Sequence, residues 1–455
     1  MAMKAVYKSN RGRVGDGLRP TRISEGGQKF EILVDEKAER YSEVIFVDDE
    51  ATTEPPVVDE PLPEPEPETP PVGEDTTPGG DTGGGVVTPP VIGSTVAVNE
   101  TDLRDKITAN PGKTIGMKSG RWGAFTMNGG RGVTVVAENP GQAIFDKFDV
   151  TNTTGGGLHG LSVIPRGDTL KASNNVEIYG FDLKPGVSGM TLSGLTVKSG
   201  DDSAGHFNWT QAQWLKRAMG GLQISGTNCT VDGLRCEAIR FGLALVGSGN
   251  KATNTSMVGV SGDAVRINDS NNQVIGFYGS DGVLVDANHP DVVQMFGRYN
   301  PSSGTYALMS NVLVRDFVFL EWTKNPTNPL RITQGPGQGK YGVMQGIGMH
   351  NPPYANIKLN RVFITTGLLN GVKISNVNGA DLTDVTVASA YYGTPYYDRR
   401  FPGILVSGSN VTSKNCRANQ FSGGAVQAGV NGNAVLDYST DPTPAWAKPI
   451  IAALG

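Results

Sequence analysis

The chain reads as an all-β solenoid that carries a small strand-forming piece at its N-terminus, joined to it by a stretched acidic connector. Three observations lead there. Glycine supplies 62 of 455 residues while charged residues make up 18% and aromatics 7%, two short strand patterns alternate along most of the chain, and charge divides into three blocks. A helical protein of this length would be rich in Leu, Ala, Glu and Lys, whereas here Gly, Asn, Thr and Val take their place. Glycine shows no period of three, which excludes a collagen-type helix, and no apolar run approaches the roughly 18 residues that insert across a bilayer.

In chain order, residues 1–40 hold nine Lys/Arg against six Asp/Glu, residues 41–103 hold fifteen acids and no base, and residues 104–455 hold thirty bases and twenty-three acids. The net charge of −5 is therefore a −15 block masking a body of +7. The opening MAMKAVYKSNRGRVGDG is basic but has no apolar core and no small-residue cleavage site, so a classical secretion signal is not expected. KFEILVDE and YSEVIFVDD read as short strands about a charged turn, and a piece spanning only 1–47 buries too little surface to stand alone. Residues 1–47 are thus expected to be an anchor that folds against another protein; the alternative, a frayed tail, has no need of a rigid spacer behind it.

That spacer is residues 48–97, where TTEPPVVDEPLPEPEPETPPVGEDTTPGGDTGGGVVTPP contains eleven of the 28 prolines. Like charge, fixed φ and missing N–H donors favour an extended, solvated chain. At about 3.1 Å per residue in a polyproline conformation, some forty residues would reach on the order of 100 Å.

Residues 98–440 are internally self-similar. One strand pattern recurs as NVEIYGFD, NCTVDGLR, NQVIGFYG, NVLVRDFV, NIKLNRVF, NVTSKNCR and NAVLDYST, with GADLTDVT a variant; the second recurs as GLQIS, GLALV, AVRIN, VVQMF, VMQGI, GVKIS, GILVS and AVQAG. Where no insertion intervenes, successive members lie 21 to 23 residues apart, about one turn of a three-sided solenoid. The second pattern places apolar residues at alternate positions, as in Leu222 and Ile224, Val265 and Ile267, or Val372 and Ile374, so one face points into a core. Asn ahead of a strand tolerates the left-handed conformation and bonds its own backbone, which lets a sharp turn recur in every coil. No coil can bury its apolar face alone and the ends need caps. TDLRDKI, with Thr101 as N-cap and Leu103 and Ile107 on one face, is expected to be such a capping helix, and 441–455 a C-terminal cap.

IGMKSGRWGAFTMNG followed by VTVVAENPGQAIF resembles the opening of right-handed parallel β-helix proteins of the pectate-lyase-like and chondroitinase-B-like superfamily, and the coils after it look like the repeats of that group. The resemblance covers 98–440 and implies the fold. It leaves function open, because this architecture carries lyases, hydrolases, epimerases, adhesins and phage spikes alike.

Two features carry candidate chemistry. The outward position of the second pattern runs Gln223, Ala244, Arg266, Gln294, Gln345, Lys373, Leu405, Gln427, which stacking would place one above the next at about 4.8 Å. Amides and cations in a row suit the hydroxyls and carboxylates of a sugar chain, and equally describe a solvated sheet face. Asp263 in GDAVRIND and Asp291 in DANHPDVVQMF occupy equivalent places in neighbouring coils, which predicts carboxylates about 5 Å apart, the separation of a retaining glycosidase pair, with Arg266 and His289 near enough to tune them. The structural alternative is that Asp after Gly or Pro simply starts a turn. HPDVVQMF and the later GVMQGIGMHNPP resemble segments of bacterial β-helix proteins; YGFD resembles the start of the mannuronan-epimerase motif, but Leu183 and Lys184 stand where that motif requires Pro and His, and no lyase pairing of a Lys base with an Arg aligns. Trp209, Trp214 and Trp322, with Arg298 and Tyr299, lie on three insertions and could stack on sugar rings or pack their loops onto the coils.

Cys229, Cys236 and Cys416 are too few for a disulfide framework and are read as buried apolar residues; no metal, cofactor, phosphate or nucleic-acid site is expected. Two main functional readings follow. The first is a spike or fibre of a phage or phage-like particle, located on the virion, docked through 1–47 on a capsid or tail protein, holding host surface polysaccharide, and trimeric as such spikes often are. The second is a polysaccharide-degrading enzyme, a depolymerase, lyase or hydrolase, using Asp263, Asp291 and His289. A bacterial adhesin is a third.

Overall fold

A computed structural model describes residues 90–166, 177–285, 290–323, 344–350, 353–390, 402–437 and 441–455, together with the backbone of four N-terminal strands. The acidic Pro-rich tract through residue 89 lies outside the described residues. Two compact units are distinguished, Met1–Gly80 and Asp81–Gly455.

In the first unit the strands are Met3–Ser9, Leu18–Glu25, Gln28–Asp35 and Tyr41–Asp48. The sheet order places Leu18–Glu25 at one edge, then Gln28–Asp35, Met3–Ser9 and Tyr41–Asp48. The sequence pattern marks two of these strands; the other two, MKAVYKS and LRPTRISE, lack the apolar run that would have identified them.

The second unit is a right-handed parallel β-helix: 26 strands join in one continuous sheet, each pairing in parallel with the strand one coil away, in the handedness that parallel crossovers adopt. Three strand columns form its sides. One runs through Thr134–Ala137, Gly157–His159, Thr191–Ser193 and Thr230–Asp232; a second through Ala143–Thr151, Leu161–Val163, Thr196–Lys198 and Arg235–Ile239; the third through Tyr179–Leu183, Gly220–Ile224, Leu243–Leu245, Val265–Ile267 and Asp291–Phe296. On the third side Leu222, Leu243, Val265, Val293, Ile347, Val372 and Ile404 stack in register, each no more than 1% exposed. Burying such a side chain contributes roughly 1.5–3 kcal/mol, and only the neighbouring coil supplies the cover. Phe277 lies flat on Phe317, centroids 4.3 Å apart, which continues the same stacking with rings. All three cysteines are buried and free.

The turns follow the asparagine rule with two shifts. Asn228, Asn311, Asn356 and Asn410 have φ of 54°, 58°, 53° and 54°; the Asn356 side-chain amide donates to Asn311 Oδ1, and the Asn311 Nδ2 donates to Asn271 Oδ1. At Gly249 a Cβ would come 2.3 Å from the Asn228 side-chain oxygen, so glycine there makes room for the asparagine below. Asn272 and Asn433, expected to be left-handed, are not; Asn271 and Asn431 take that role. Asn272 is fully buried, accepting from the Asn250 N–H at 2.8 Å and donating to the Gly247 and Asp269 carbonyls, while Asn250 accepts from the Cys229 N–H. Asn272→Ala leaves those backbone groups unpaired and is expected to lose about 1–3 kcal/mol, measured as a fall in denaturant midpoint at unchanged m-value.

The N-terminal cap is the helix Glu100–Ala109, with Leu103 and Ile107 buried as the sequence indicates; its N-cap is Asn99, accepting from the Asp102 N–H, and not Thr101. The C-terminal helix Ala447–Leu454, in the segment expected to be a cap, lies against the outside of the coils over Tyr278, Val318, Phe363 and Ala388.

Candidate functional site

The outward face of the third side holds a groove of about 470 Å³. Its floor follows from the register. Asp182, Gln223, Ala244, Arg266 and Gln294 stand in neighbouring strands at one position, and Ala244 is the residue of that row whose side chain ends at Cβ. A short side chain between Gln223 and Arg266 makes room for Tyr179 and Phe241 to pack on Ala244, and the half-buried Val246 adds apolar surface at the base of the groove.

One wall is a hairpin from the insertion after Phe296. Tyr299 and Asn300 pair antiparallel with Tyr306 and Thr305, and Gly304 at φ 67° closes the turn. Asn300 Oδ1 accepts the Ser302 N–H, which fixes the turn further. Register sets Tyr299 opposite Tyr306, with ring centroids 5.1 Å apart and tilted by 56°. Tyr299 is 55% exposed, so its ring is accessible from the groove. Arg298 holds the base of the hairpin down, donating to the Val246 carbonyl and lying 3.3 Å from an Asp269 oxygen.

The opposite wall is a charged network. Arg266 donates through Nε to Asp263 at 2.6 Å and through a terminal nitrogen to both oxygens of Glu177 at 2.6 and 2.7 Å. Its guanidinium carbon lies 3.7 Å from the centroid of Phe241, so one face is covered by an aromatic ring. The Tyr179 hydroxyl donates to Glu177. Burial, reinforced by the Glu177 carboxylate, pushes the Tyr179 phenol well above its ordinary range. For Asp263, burial raises the carboxyl to about 6, against the pull of Arg266 and of the Asp291 N–H that it accepts.

Several sequence expectations change here. Asp263 and Asp291 do sit in adjacent coils, but both are 1% exposed and neither lines the groove. Asp263 is committed to Arg266 and to the Asp291 backbone, the work of a residue that orients the guanidinium, while Asp291 accepts from Gln294. His289 lies outside the described residues. Gln345 pairs with Asp291, and Gly348 takes the place above Gln294; the row continues through Lys373, which is exposed and away from the groove, and Leu405 to Ser422 in place of Gln427. The slip arises because VMQGI looks like the repeat, yet the residues that occupy the inward positions are Ile347 and, one coil from Met295, Met349. Trp209 and Trp214 are 5% and 1% exposed and pack with Ala238, Val283 and Val285, which pins the insertion to the coils; Trp322 is half-buried. Within the same insertion His206 is buried, its Nδ1 at 2.7 Å from the Ser203 carbonyl.

Reasoning from the repeat selects Arg266 and places Arg298 and Tyr299 on an insertion, but passes over Glu177, Tyr306 and the role of Ala244. The available signal for the hairpin is Tyr299 and Tyr306 flanking a Pro-Ser-Ser-Gly turn. Among the described residues, no cluster of His, Cys, Asp and Glu is arranged to hold a metal ion.

No family model matches the chain, and no curated protein matches it in sequence. Solved structures superpose on it at low identity. A mannuronic-acid-specific polysaccharide family 6 lyase from human gut microbiota gives a TM-score of 0.38 at 11% identity, covering 79% of this chain and 94% of that one. A family 6 polysaccharide lyase from Pseudopedobacter saltans gives 0.36 at 12%, covering 77% and 94%. The A-module of a mannuronan C-5 epimerase from Azotobacter vinelandii gives 0.34 at 10%, covering 76% and 96%.

Proposed function

We propose that the β-helix binds a polysaccharide chain in the groove between Arg266 and the Tyr299–Tyr306 hairpin. One observation supports this above the rest: the rings of Tyr299 and Tyr306 and the polar side chains of Gln223, Arg266 and Asn268 line one groove together with apolar surface. A pyranose has the complementary surface, C–H groups on its faces and hydroxyls around its rim, and sites with a few placed polar groups over apolar lining are how small ligands are oriented.

A binding role on a particle and a degrading role share this groove. The enzyme reading draws support from Glu177, Tyr179 and Arg266, three titratable groups that converge on the groove wall. For the spike reading, support comes from the separate N-terminal sheet and the acidic proline-rich tract behind it. In that reading residues 1–47 dock on a capsid or tail protein, the chain is carried on a virion, and three copies associate.

Incubating the full chain with bacterial surface polysaccharides, then measuring retention and polymer length together, tests both. Retention with unchanged length supports a spike; retention with progressive shortening supports a depolymerase. Absence of retention on every polysaccharide, at protein concentrations well above micromolar, contradicts the groove reading. Light scattering on the same sample is expected to return three times the chain mass, and a monomer would contradict the trimer.

A further inference from the structure

We propose that the sugar units seated in this groove are uncharged, so that uronates and sulfated or phosphorylated sugars are not its ligands. This rests on the reading that the groove holds a glycan, and it holds although the +7 charge of residues 104–455 would by itself favour an acidic polymer through long-range attraction.

Local charge at the groove decides which sugars fit. Among the described residues two cations border the groove, Arg266 and Arg298, and each already has a carboxylate. Arg266 is bonded on one side to Asp263 and on the other to both oxygens of Glu177, with Phe241 over its face. Arg298 lies beside Asp269 and bonds the Val246 carbonyl. Glu177 on the wall and the more deeply placed Asp263 and Asp269 together engage both guanidinium groups, so neither cation is left open to an incoming anion. An anionic sugar would have to displace Glu177 from Arg266 and would itself meet uncompensated carboxylates. Since Arg266 is only 16% exposed, separating that pair sacrifices a partly desolvated ion pair with good geometry. Hydroxyl groups impose no such exchange: they accept from Gln223 or Asn268 and donate to Glu177 while the network stays closed. The field of the body's net charge is screened over about 8 Å in physiological salt, so the groups at the groove dominate what a bound sugar meets.

A chemical consequence follows for any cleavage at this site. Elimination and C5 epimerisation both need the C6 carboxyl group to acidify H5, and an uncharged hexose has none. Cleavage of such a chain is hydrolytic: the C1–O bond breaks, the hydroxyl of water goes to C1 and its proton to the departing oxygen.

The test is calorimetric titration of the full chain with matched hexasaccharides: gluco-, manno- and galacto-oligosaccharides as the neutral set, oligogalacturonate and oligomannuronate as the acidic set. The expected result is binding to at least one neutral member, at least about tenfold tighter than to any acidic one, with affinity insensitive to salt. Glu177→Gln, at a 38% exposed side chain, frees one side of Arg266 and is expected to improve acidic binding by about tenfold. Acidic members binding more tightly than neutral ones, with affinity falling as salt rises, overturns the charge assignment and leaves the glycan groove standing. No binding by any member overturns the groove reading itself.

Discussion

Arg266→Ala is expected to cost about 3–5 kcal/mol of stability and to abolish glycan binding, because it removes the cation from a closed network and not a surface charge. Asp263 is 1% exposed and its two oxygens are taken by Arg266 and the Asp291 N–H. Without the guanidinium, that carboxyl protonates or draws in water, and Glu177 is free to swing away from the groove wall. Thermal unfolding and calorimetric binding on the same preparation measure both losses. Arg266→Lys should recover little, since a single ammonium cannot satisfy Asp263 and Glu177 at once.

The same network makes binding sensitive to pH. Asp263 has its carboxyl raised by burial from 3.8 to about 6, with Arg266, the Asp291 backbone and the Asp291 carboxylate as the groups that act on it. A raised carboxyl favours the folded state while it is protonated: the contribution is complete below pH 4 and is lost as pH rises through 6. The groove behaves oppositely. Above pH 7 ionised Asp263 fixes Arg266, and below 6 that charged acceptor disappears, so affinity for a neutral glycan should fall on acidification with a midpoint near 6. Asp263→Asn should flatten the profile.

Removing residues 441–455 should have the second large effect. Trp446, Ile450, Ile451 and Leu454 pack on an apolar stripe of Tyr278, Val318, Phe363 and Ala388 that faces outward from the coils. At about 1 kcal/mol for each partly buried side chain, the segment supplies on the order of 4 kcal/mol. Its loss uncovers adjacent aromatic and aliphatic side chains on a sheet face, a surface that soluble proteins rarely leave open. The truncated chain should melt lower, bind a hydrophobic dye and aggregate on storage. A truncation with unchanged melting and no dye binding would show that the helix is ornamental to the fold.

The solenoid was legible because its physics is local and repeated. Leu222, Leu243, Val265 and Val293 announce an inward column wherever a strand recurs, and Asn228 or Asn356 marks the turn before it. Register failed where an insertion broke the count: after the segment 297–310 and the longer one before Met344, the sequence offers both VMQGI and GIGMH, and only coil-to-coil pairing selects Ile347 as the inward residue. The groove was partly legible. Arg266 stood out as a cation in an outward row, but its partner Glu177 lies 89 residues earlier, in NVEIYGFD, which the sequence groups with the other strand pattern although its strand Tyr179–Leu183 stands in the column of Arg266. Ala244 matters for what it lacks, which composition cannot flag. Asp263 and Asp291 looked catalytic because two carboxylates at coil spacing are what hydrolysis needs; burial at 1% exposure turned them inward to position and support the wall. Trp209 and Trp214 looked available for sugars, yet their area is more stabilising against Val283 and Val285 than in water.

The proposed glycan groove depends most on the hairpin wall, where Tyr299 and Tyr306 would add the ring surface that a polar sheet face lacks. Tyr299→Ala/Tyr306→Ala removes both rings from an exposed hairpin and should leave the melting temperature within about 2 °C of the parent. Calorimetric titration of this double variant with the best-binding neutral oligosaccharide is predicted to show affinity reduced by about a hundredfold or more, on the order of 3 kcal/mol. Undiminished affinity in a variant that melts like the parent would place the glycan elsewhere and contradict the groove.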